Sequence, residues 1–339
     1  MFRIARAFSN RADIAIDLGT ANTLVVERAS GVVFDEPSMC CFRGFGPDAG
    51  LVAAGAEAQA YVGRVSKPLR MVRPMRNGVL SDMTAARELL KFATRRVSSS
   101  WSLRRARVVI GVPADATQAE RSALGAAAVD AGLPEPELLP EPFLAAIGAG
   151  LDVDAPRGVM VVDCGAGTTD VAVVSLGAIC VAHSVRGGGE ALDRALIDHL
   201  HLRRRFQIGP ATAERLKLEL SFLLEGGGED RLVEVRGLDA ASGIPKTIAL
   251  PARELLAVWH RYSDPVLAAI RAALSETPPE LSQDILEDGI ILAGGAAMTG
   301  LLARRIGEQA GVATRVTDDP LRSVAAGLSR VLEGAARAS

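Results

Sequence analysis

Apolar residues in this chain fall into short continuous runs, broken by glycine-containing turns and by longer stretches with helical spacing. DIAIDLG, NTLVVER and GVVFDEP, within residues 13–37, are β-rich, and Asp17-Leu18-Gly19-Thr20 separates the first two as a tight hairpin does. TAARELLKFATRRV (84–97) has helical periodicity, and RVVIGVP (107–113) is a continuous apolar run suited to a buried strand. DATQAERSALGAAAVDAG (115–132) is a helix with Asp115 or Thr117 as its cap and Gly132 as its stop. PEPFLAAIGAG (140–150) begins another helix, with proline in its first turn.

The pattern then starts again. GVMVVDCGAGTTDVAVVSLGAICVAHSV (158–185) reads as strand, small-residue turn, strand, strand. Asp17 and Asp163 each end an apolar run, are followed by small residues and hydroxyls, and lie 146 residues apart. A repeat of that length is a duplicated domain core rather than a solenoid. Residues 190–224 are largely helical, EDRLVEVRGLDAASGIPKTIAL (229–250) returns to strand, and 252–275 is helical. DGIILAGGAAMTGLLARRIGEQAG (288–311) is strand, glycine turn, helix. Alternation of strands and helices predicts an α/β class.

Length and composition fit this picture. A chain of 339 residues suits two domains at about 150 residues each, and 49% hydrophobic residues supply their cores. The formal net charge is -2 and there is no polybasic arm, so no specific nucleic-acid partner is expected. Cys40, Cys41, Cys164 and Cys180 lack metal-site spacing and suit free thiols in a reducing cytosol. No run approaches the ~20 apolar residues of a transmembrane helix, and the first residues do not form a signal peptide.

The chemistry lies in the turns. Backbone N–H groups of a small-residue turn can converge on an anion, which side chains would hold away. A strand-end aspartate can hold Mg²⁺ through its water shell. Two such hairpins, after Asp17 and after Asp163, suit a polyphosphate and its metal. One alone would be an ordinary glycine turn. Gly294-Gly295, between the apolar strand IILA and a helix, would let a nucleotide approach the backbone; a plain strand-to-helix turn is the other reading.

These three segments resemble the phosphate-1, phosphate-2 and adenosine motifs of the actin, heat-shock chaperone and sugar-kinase ATPases. IDLGTANTLV, DEPS, RPMRNGVLSD, VPADATQAER, EPFLAAIGAG, TAERLKLE, PPELSQDILEDGIILAGGA and DDPLRSVAAG are similar in order and spacing to the MreB family of bacterial actins, over almost the whole chain. The resemblance implies an actin-like duplicated ATPase fold: two α/β domains, each with a central sheet flanked by helices, and the nucleotide in the interdomain cleft. Domain I would take residues 12–142 and about 318–339, with a small subdomain at about 29–72. Domain II would take 143–317, with a small subdomain at about 183–245.

By the same resemblance, Asp17 and Asp163 would organise Mg²⁺ through water. Gly19, Thr20, Ala21 and Asn22 would form the first phosphate loop, and Gly165, Ala166, Gly167 and Thr168 the second. Glu141 matches the acid that positions the attacking water. Glu214, Arg215, Leu216 and Lys217 match the ribose and base side, and Gly294, Gly295, Ala296, Ala297 and Met298 the adenine side. On the residues alone, Glu141 is equally a helix-start acid, and Glu214 with Lys217 an ordinary surface pair. The chain departs from the family at Ala166 and Ala296, which stand where glycines are usual, and at Asp170, where glutamate is usual. Pro140-Glu141 replaces a pair of acids, and the late glycine pattern keeps only Gly327.

The family implies ATP and Mg²⁺ as cofactors, a weak ATPase coupled to polymer dynamics, and self-association into protofilaments. It places the polymer in the cytoplasm at the inner membrane, with the cell-wall elongation machinery as partner and rod shape as outcome. An organelle-aligning or DNA-segregating filament is the alternative, and a chaperone-like ATPase a more distant one. No peptide-binding domain or sugar-site pattern supports the chaperone or kinase branches. For membrane contact, the short element 1–11 puts Phe2, Ile4 and Phe8 on one side of a helical wheel and Arg3 and Arg6 on the other. A frayed terminus is the alternative. The loop SSSWSLRR (98–105) offers Trp101 and Leu103 as apolar tips beside two arginines, with a buried loop anchor as the alternative.

Overall fold

The computed structural model describes residues 13–46, 49–97, 103, 106–298 and 300–334. Its strands are β1 (Ile14–Leu18), β2 (Asn22–Glu27), β3 (Gly31–Pro37), β4 (Cys40–Arg43), β5 (Gly50–Ala54), β6 (Leu69–Val72), β7 (Met75–Arg76), β8 (Val79–Leu80), β9 (Val108–Val112) and β10 (Glu137–Pro140). There follow β11 (Val159–Cys164), β12 (Thr169–Ser175), β13 (Ala178–Val185), β14 (Phe206–Gln207), β15 (Leu232–Asp239), β16 (Pro245–Pro251), β17 (Ile290–Ala293) and β18 (Thr314–Val316). The chain divides into two units. Unit 1 holds the described residues up to Val112, Ala116–Leu139 and those from Leu328; unit 2 holds Pro113–Asp115 and Pro140–Gly327.

Each unit is built on a five-stranded sheet of the same plan. In unit 1 the order is β10-β9-β1-β2-β3, and in unit 2 it is β13-β12-β11-β17-β18. In both, a three-stranded antiparallel meander leads into a parallel neighbour: β1 pairs with β2 antiparallel and with β9 parallel, β11 with β12 antiparallel and with β17 parallel. The duplication seen in the sequence is thus a duplication of sheet topology. The inner strands are buried on both faces, which is why VVIGV and the VMVV that precedes Asp163 read as unbroken apolar runs.

Helices and smaller sheets complete each unit. In unit 1 the helix Met83–Thr94 is capped by Asp82, whose carboxylate accepts the Ala85 N–H, and it buries Ala86, Leu89, Leu90 and Ala93. Helix Gln118–Asp130 starts at Thr117 with a reciprocal capping box to Glu120; the other candidate cap, Asp115, is instead paired with Arg186 in unit 2. The β7–β8 ribbon turns on Asn77-Gly78, both at positive φ, as a two-residue hairpin of this chirality requires. Strands β5-β4-β6 form a small sheet over Met39, Cys41, Ala53 and Ala58. In unit 2, helices Gly189–Arg204, Pro210–Glu225 and Ala252–Glu276 share one core with β11 and β12 around fully buried Trp259. Strands β14-β15-β16 form its small sheet. Cys40, Cys41 and Cys164 are buried, Cys180 is exposed, and all are free.

Helix Glu141–Gly148 packs on β11 and β12, and its far end meets the segment Ser323–Gly327 at backbone contact. A Cβ on Gly148 would lie 1.8 Å from the Ser323 carbonyl oxygen, and one on Gly327 1.9 Å from that of Leu144. That contact accounts for Gly327, the one glycine left of its motif. Gly327→Ala therefore forces the two segments apart. Its expected cost is about 1–3 kcal/mol, the range for overpacking a tight interior, read as a lower midpoint in denaturant unfolding. An unchanged midpoint would show that the close approach carries no stability.

Candidate functional site

Asp17 and Asp163 are the penultimate residues of β1 and β11, at equivalent places in the two sheets. Each strand is apolar up to that point; Asp163 is still paired on both sides, with Asp170 of β12 and Ala293 of β17. In unit 1 the register aligns Asp17, Leu24 and Asp35 across β1, β2 and β3. Burial, and then the nearby Asp35 carboxylate, push Asp17 from its ordinary value up to about 6.

The loop after Asp17 is held from outside. The Ser38 hydroxyl donates to the Gly19 carbonyl at 2.6 Å and lies 2.8 Å from the Thr23 hydroxyl, while the Ser38 N–H donates to the Ala21 carbonyl. The Thr20 hydroxyl accepts the Gly78 N–H at 3.2 Å, and Arg73 donates to the Thr20 carbonyl at 3.4 Å. Thr20 is buried, Ala21 half-buried and Asn22 exposed. The carbonyls are engaged, but among the described residues no acceptor meets the N–H groups of Gly19, Thr20 or Ala21.

The loop after Asp163 follows the same logic with different partners. Gly165 and Ala166 give their carbonyls to the N–H groups of Gly189 and Glu190, at 3.0 Å each. These amides open helix Gly189–Arg204, which has no side-chain cap. Gly188 is what allows that approach, since a Cβ there would lie 2.2 Å from the Gly165 carbonyl oxygen. Among the described residues, again, no acceptor meets the N–H groups of Gly165, Ala166 or Gly167. Thr168 is buried. A loop with its carbonyls engaged and its amides open is a nest for an anion.

Asp163 is 5% exposed, and Gly294 lies against it. Gly294 is at φ +82°, and a Cβ there would come within 2.6 Å of Asp163 Oδ1 and 2.4 Å of the Cys164 carbonyl. The turn that starts the adenosine-like segment is therefore built onto the strand-end acid of the phosphate-like loop. Asp170 stands directly opposite Asp163 in the β11–β12 register. It is fully buried, accepts the Ala114 N–H at 3.0 Å and the Ser184 hydroxyl, and has its pKa raised, burial being the main cause. Arg186 clamps Asp115 with two bonds at 3.0 and 3.1 Å. The segment Pro113–Asp115 is thereby tied to β12 and β13.

The other expected residues divide between surface and core. Glu141 is half-buried and is the first residue of helix Glu141–Gly148, beside β11 and β12. Glu214 and Arg215 are exposed on helix Pro210–Glu225, whereas Leu216 is a core residue and has no side chain to offer a ligand. Lys217 bonds Asp193 and the Gly189 carbonyl. Gly295 and Ala296 are half-buried, Ala297 is fully buried, and Met298 is exposed. Sequence reasoning passed over Ser38, Gly188 and Asp193. The triple glycine at 187–189 was a visible signal for the second of these; the other two act through tertiary contacts that no local pattern marks.

Of the membrane residues, Phe2, Ile4, Phe8 and Trp101 lie outside the described residues. Leu103 is 9% exposed and packs in the core of unit 1, which corrects its reading as a membrane-facing tip: its apolar surface is already removed from water. Among the described residues no helix is long and apolar enough to cross a membrane.

Three comparisons bear on this geometry. A family model described as MreB/Mbl protein matches residues 11–339. The chain is 40% identical to the cell shape-determining protein MreB of Pasteurella multocida (strain Pm70), over 98% of this chain and 95% of that one. The fold matches MreB 5 of Spiroplasma citri bound to AMPPNP, with TM-score 0.87, 31% identity, and 96% and 97% of the two chains covered. A MamK double helical filament matches with TM-score 0.78 at 22% identity, covering 96% and 99%, and this is a likeness of fold alone. The actin-like fold expected from the motifs is the fold observed.

The Asp17 environment sets a pH dependence. Its folded pKa is raised from 3.8 to about 6, so the fold favours the neutral acid. The stability this group contributes is complete below about pH 4 and is lost as pH rises through about 6. In metal-free buffer, Asp17→Asn should therefore unfold at higher denaturant than wild type at neutral pH and match it near pH 4. A gap of the same size at both pH values would show that Asp17 ionises normally.

Proposed function

The chain belongs to the MreB/Mbl family, and on that premise we propose that it is a bacterial actin that binds Mg²⁺-ATP, polymerises and determines cell shape. The observation that carries this reading is the pair of equivalent strand-end aspartates, each followed by a loop whose carbonyls are engaged and whose amides are open. The relatives' name, cell shape-determining protein, and the AMPPNP bound to MreB 5 of Spiroplasma citri support it.

The residues present fit the nucleotide and its metal. Gly294 forms a cradle against Asp163 that a single Cβ would fill. Asp17 and Asp35 are two carboxylates whose mutual repulsion a cation would relieve. Mg²⁺, when bound, would supply charge neutralisation of the phosphates, and Asp17 and Asp163 would hold it through its water shell. The N–H groups of Gly19, Thr20 and Ala21, and of Gly165, Ala166 and Gly167, donate to phosphate oxygens. Glu141 holds the attacking water and accepts its proton. The turn Gly294–Met298 and helix Pro210–Glu225, through Glu214 and Lys217, take the nucleoside.

The polymer follows from a head-to-tail contact, which closes into no ring and so extends into a protofilament. Its place is the cytoplasmic face of the inner membrane, where it organises cell-wall synthesis through membrane proteins of the elongation machinery. With Leu103 in the core, membrane attachment rests on the Phe2, Ile4 and Phe8 face of the N-terminal segment, with Trp101 as a second contact.

Two variants test the site. Asp163→Ala should weaken Mg·ATP binding in calorimetry, because the ion's water shell loses an acceptor; unchanged affinity removes Asp163 from the metal. Glu141→Ala should leave binding nearly intact and slow phosphate release by about 10²–10⁴-fold, the usual worth of a positioned base. Wild-type release from that variant would leave Glu141 as a helix-start residue. In both cases sedimentation of the wild type with ATP is the reference, and failure to pellet under any nucleotide condition overturns the filament reading.

A further inference from the structure

Lys217 projects from helix Pro210–Glu225 toward the glycine run that opens helix Gly189–Arg204. Its Nζ donates to Asp193 Oδ2 at 3.0 Å and to the Gly189 carbonyl at 3.4 Å. The two side chains are only 13% and 14% exposed, so solvent screens the pair weakly. A Cβ on Gly189 would lie 3.3 Å from that Nζ and 3.8 Å from the Ala296 Cβ. The ammonium is thus fixed where the glycine run meets the Gly294–Met298 turn. A lysine is otherwise a flexible four-carbon stem ending in three donors. Here two of the three are used in holding it, and one is left.

Asp193 is placed for this and little else. It lies on the first turns of helix Gly189–Arg204, 24 residues from Lys217 in sequence. Its own Oδ1 is sealed from solvent with no hydrogen-bond partner, so the carboxylate is buried for the sake of the Oδ2 bond. Glu190 on its own helix and Glu214 on the facing helix are both close enough to act on it electrostatically. An ammonium left free among these acids would have several places to go. The 3.0 Å bond to Asp193 selects one.

We propose that Asp193 is a positioning residue for the nucleotide: by anchoring Lys217 Nζ between the glycine run and the Gly294–Met298 turn, it aims the remaining ammonium N–H at the nucleoside rather than at the phosphates. This rests on the nucleotide reading above and deepens it. The phosphates have their own donors in the loops after Asp17 and Asp163. The nucleoside has no such nest, and a buried, fixed donor is what a ribose or purine acceptor needs for orientation.

The test separates nucleoside from phosphate. The full chain and Asp193→Asn are titrated with Mg·ATP and, separately, with Mg·tripolyphosphate, which carries the phosphates without the nucleoside. The variant should bind Mg·ATP roughly tenfold more weakly, as loss of one charge-assisted bond implies, and should bind Mg·tripolyphosphate as wild type does. Asp193→Glu should recover part of the ATP affinity. Equal loss for both ligands would mean that Asp193 merely braces the Gly189 and Glu190 amides that hold the phosphate loop, and no loss for either would mean that Lys217 needs no anchor; both overturn the proposal. Should Asp193→Asn not fold, Lys217→Gln takes its place and must show the same ATP-selective loss. If wild type binds tripolyphosphate but shows no further affinity for ATP, the nucleoside assignment falls; if it binds neither, the nucleotide reading itself has failed.

Discussion

A strand covered on both faces cannot carry a carboxylate along its length, because the charge would have neither water nor a partner. It can carry one at its end, and everything at the candidate site follows from that constraint. β1 and β11 are apolar until their penultimate residues, and there the chain places Asp17 and Asp163. Even at the strand end Asp17 is costly to ionise, since burial and Asp35 both resist it. The bare protein thus keeps strand-end carboxyl groups that resist ionisation near open backbone amides, an arrangement that a divalent cation and a polyphosphate would satisfy together.

The second condition is that polypeptide backbones approach each other closely around those acids. Gly188 lets the head of helix Gly189–Arg204 take the carbonyls of the phosphate-like loop, and Gly294 lets the following turn lie on Asp163. In unit 1 the same task falls to side chains: Ser38 grips the loop from below, and Thr20 is tied to the β7–β8 ribbon through Gly78. Two copies of one topology have therefore reached the same loop chemistry by different fastenings.

This explains why the departures from the family pattern are tolerable. Ala166 uses its carbonyl to accept the Glu190 N–H, a backbone role that a methyl group does not disturb. Ala296 keeps its side chain in ordinary contact range of the position a Gly189 Cβ would take, so the small residue suffices. Asp170 reaches both the Ala114 amide and the Ser184 hydroxyl through Oδ1, which fastens Ala114 to β12, while its Oδ2 is buried without a hydrogen-bond partner among the described residues.

The sequence by itself determined the α/β class, the duplicated strand-turn-strand plan, and the acids and small residues of both phosphate-like loops. These are local: strand burial shows as an apolar run, and a loop that must expose amides shows as glycine, alanine and threonine. It also marked Thr117 as a cap, though it left Asp115 as an equal candidate; a carboxylate's partner, here Arg186, lies 71 residues away, just past β13. Tertiary structure alone decided that Leu103 belongs to the core, that Leu216 and Ala297 turn inward within segments the sequence assigned to the site, that Ser38 bonds the loop after Asp17, and that Asp193 pairs with Lys217. An apolar residue beside arginines has the same local pattern whether it meets lipid or a protein core, and an acid on a helix looks the same whether it faces water or a lysine on the next helix. Periodicity fixes which face of an element is apolar; only the packing of other elements fixes what that face, or the polar one, will touch.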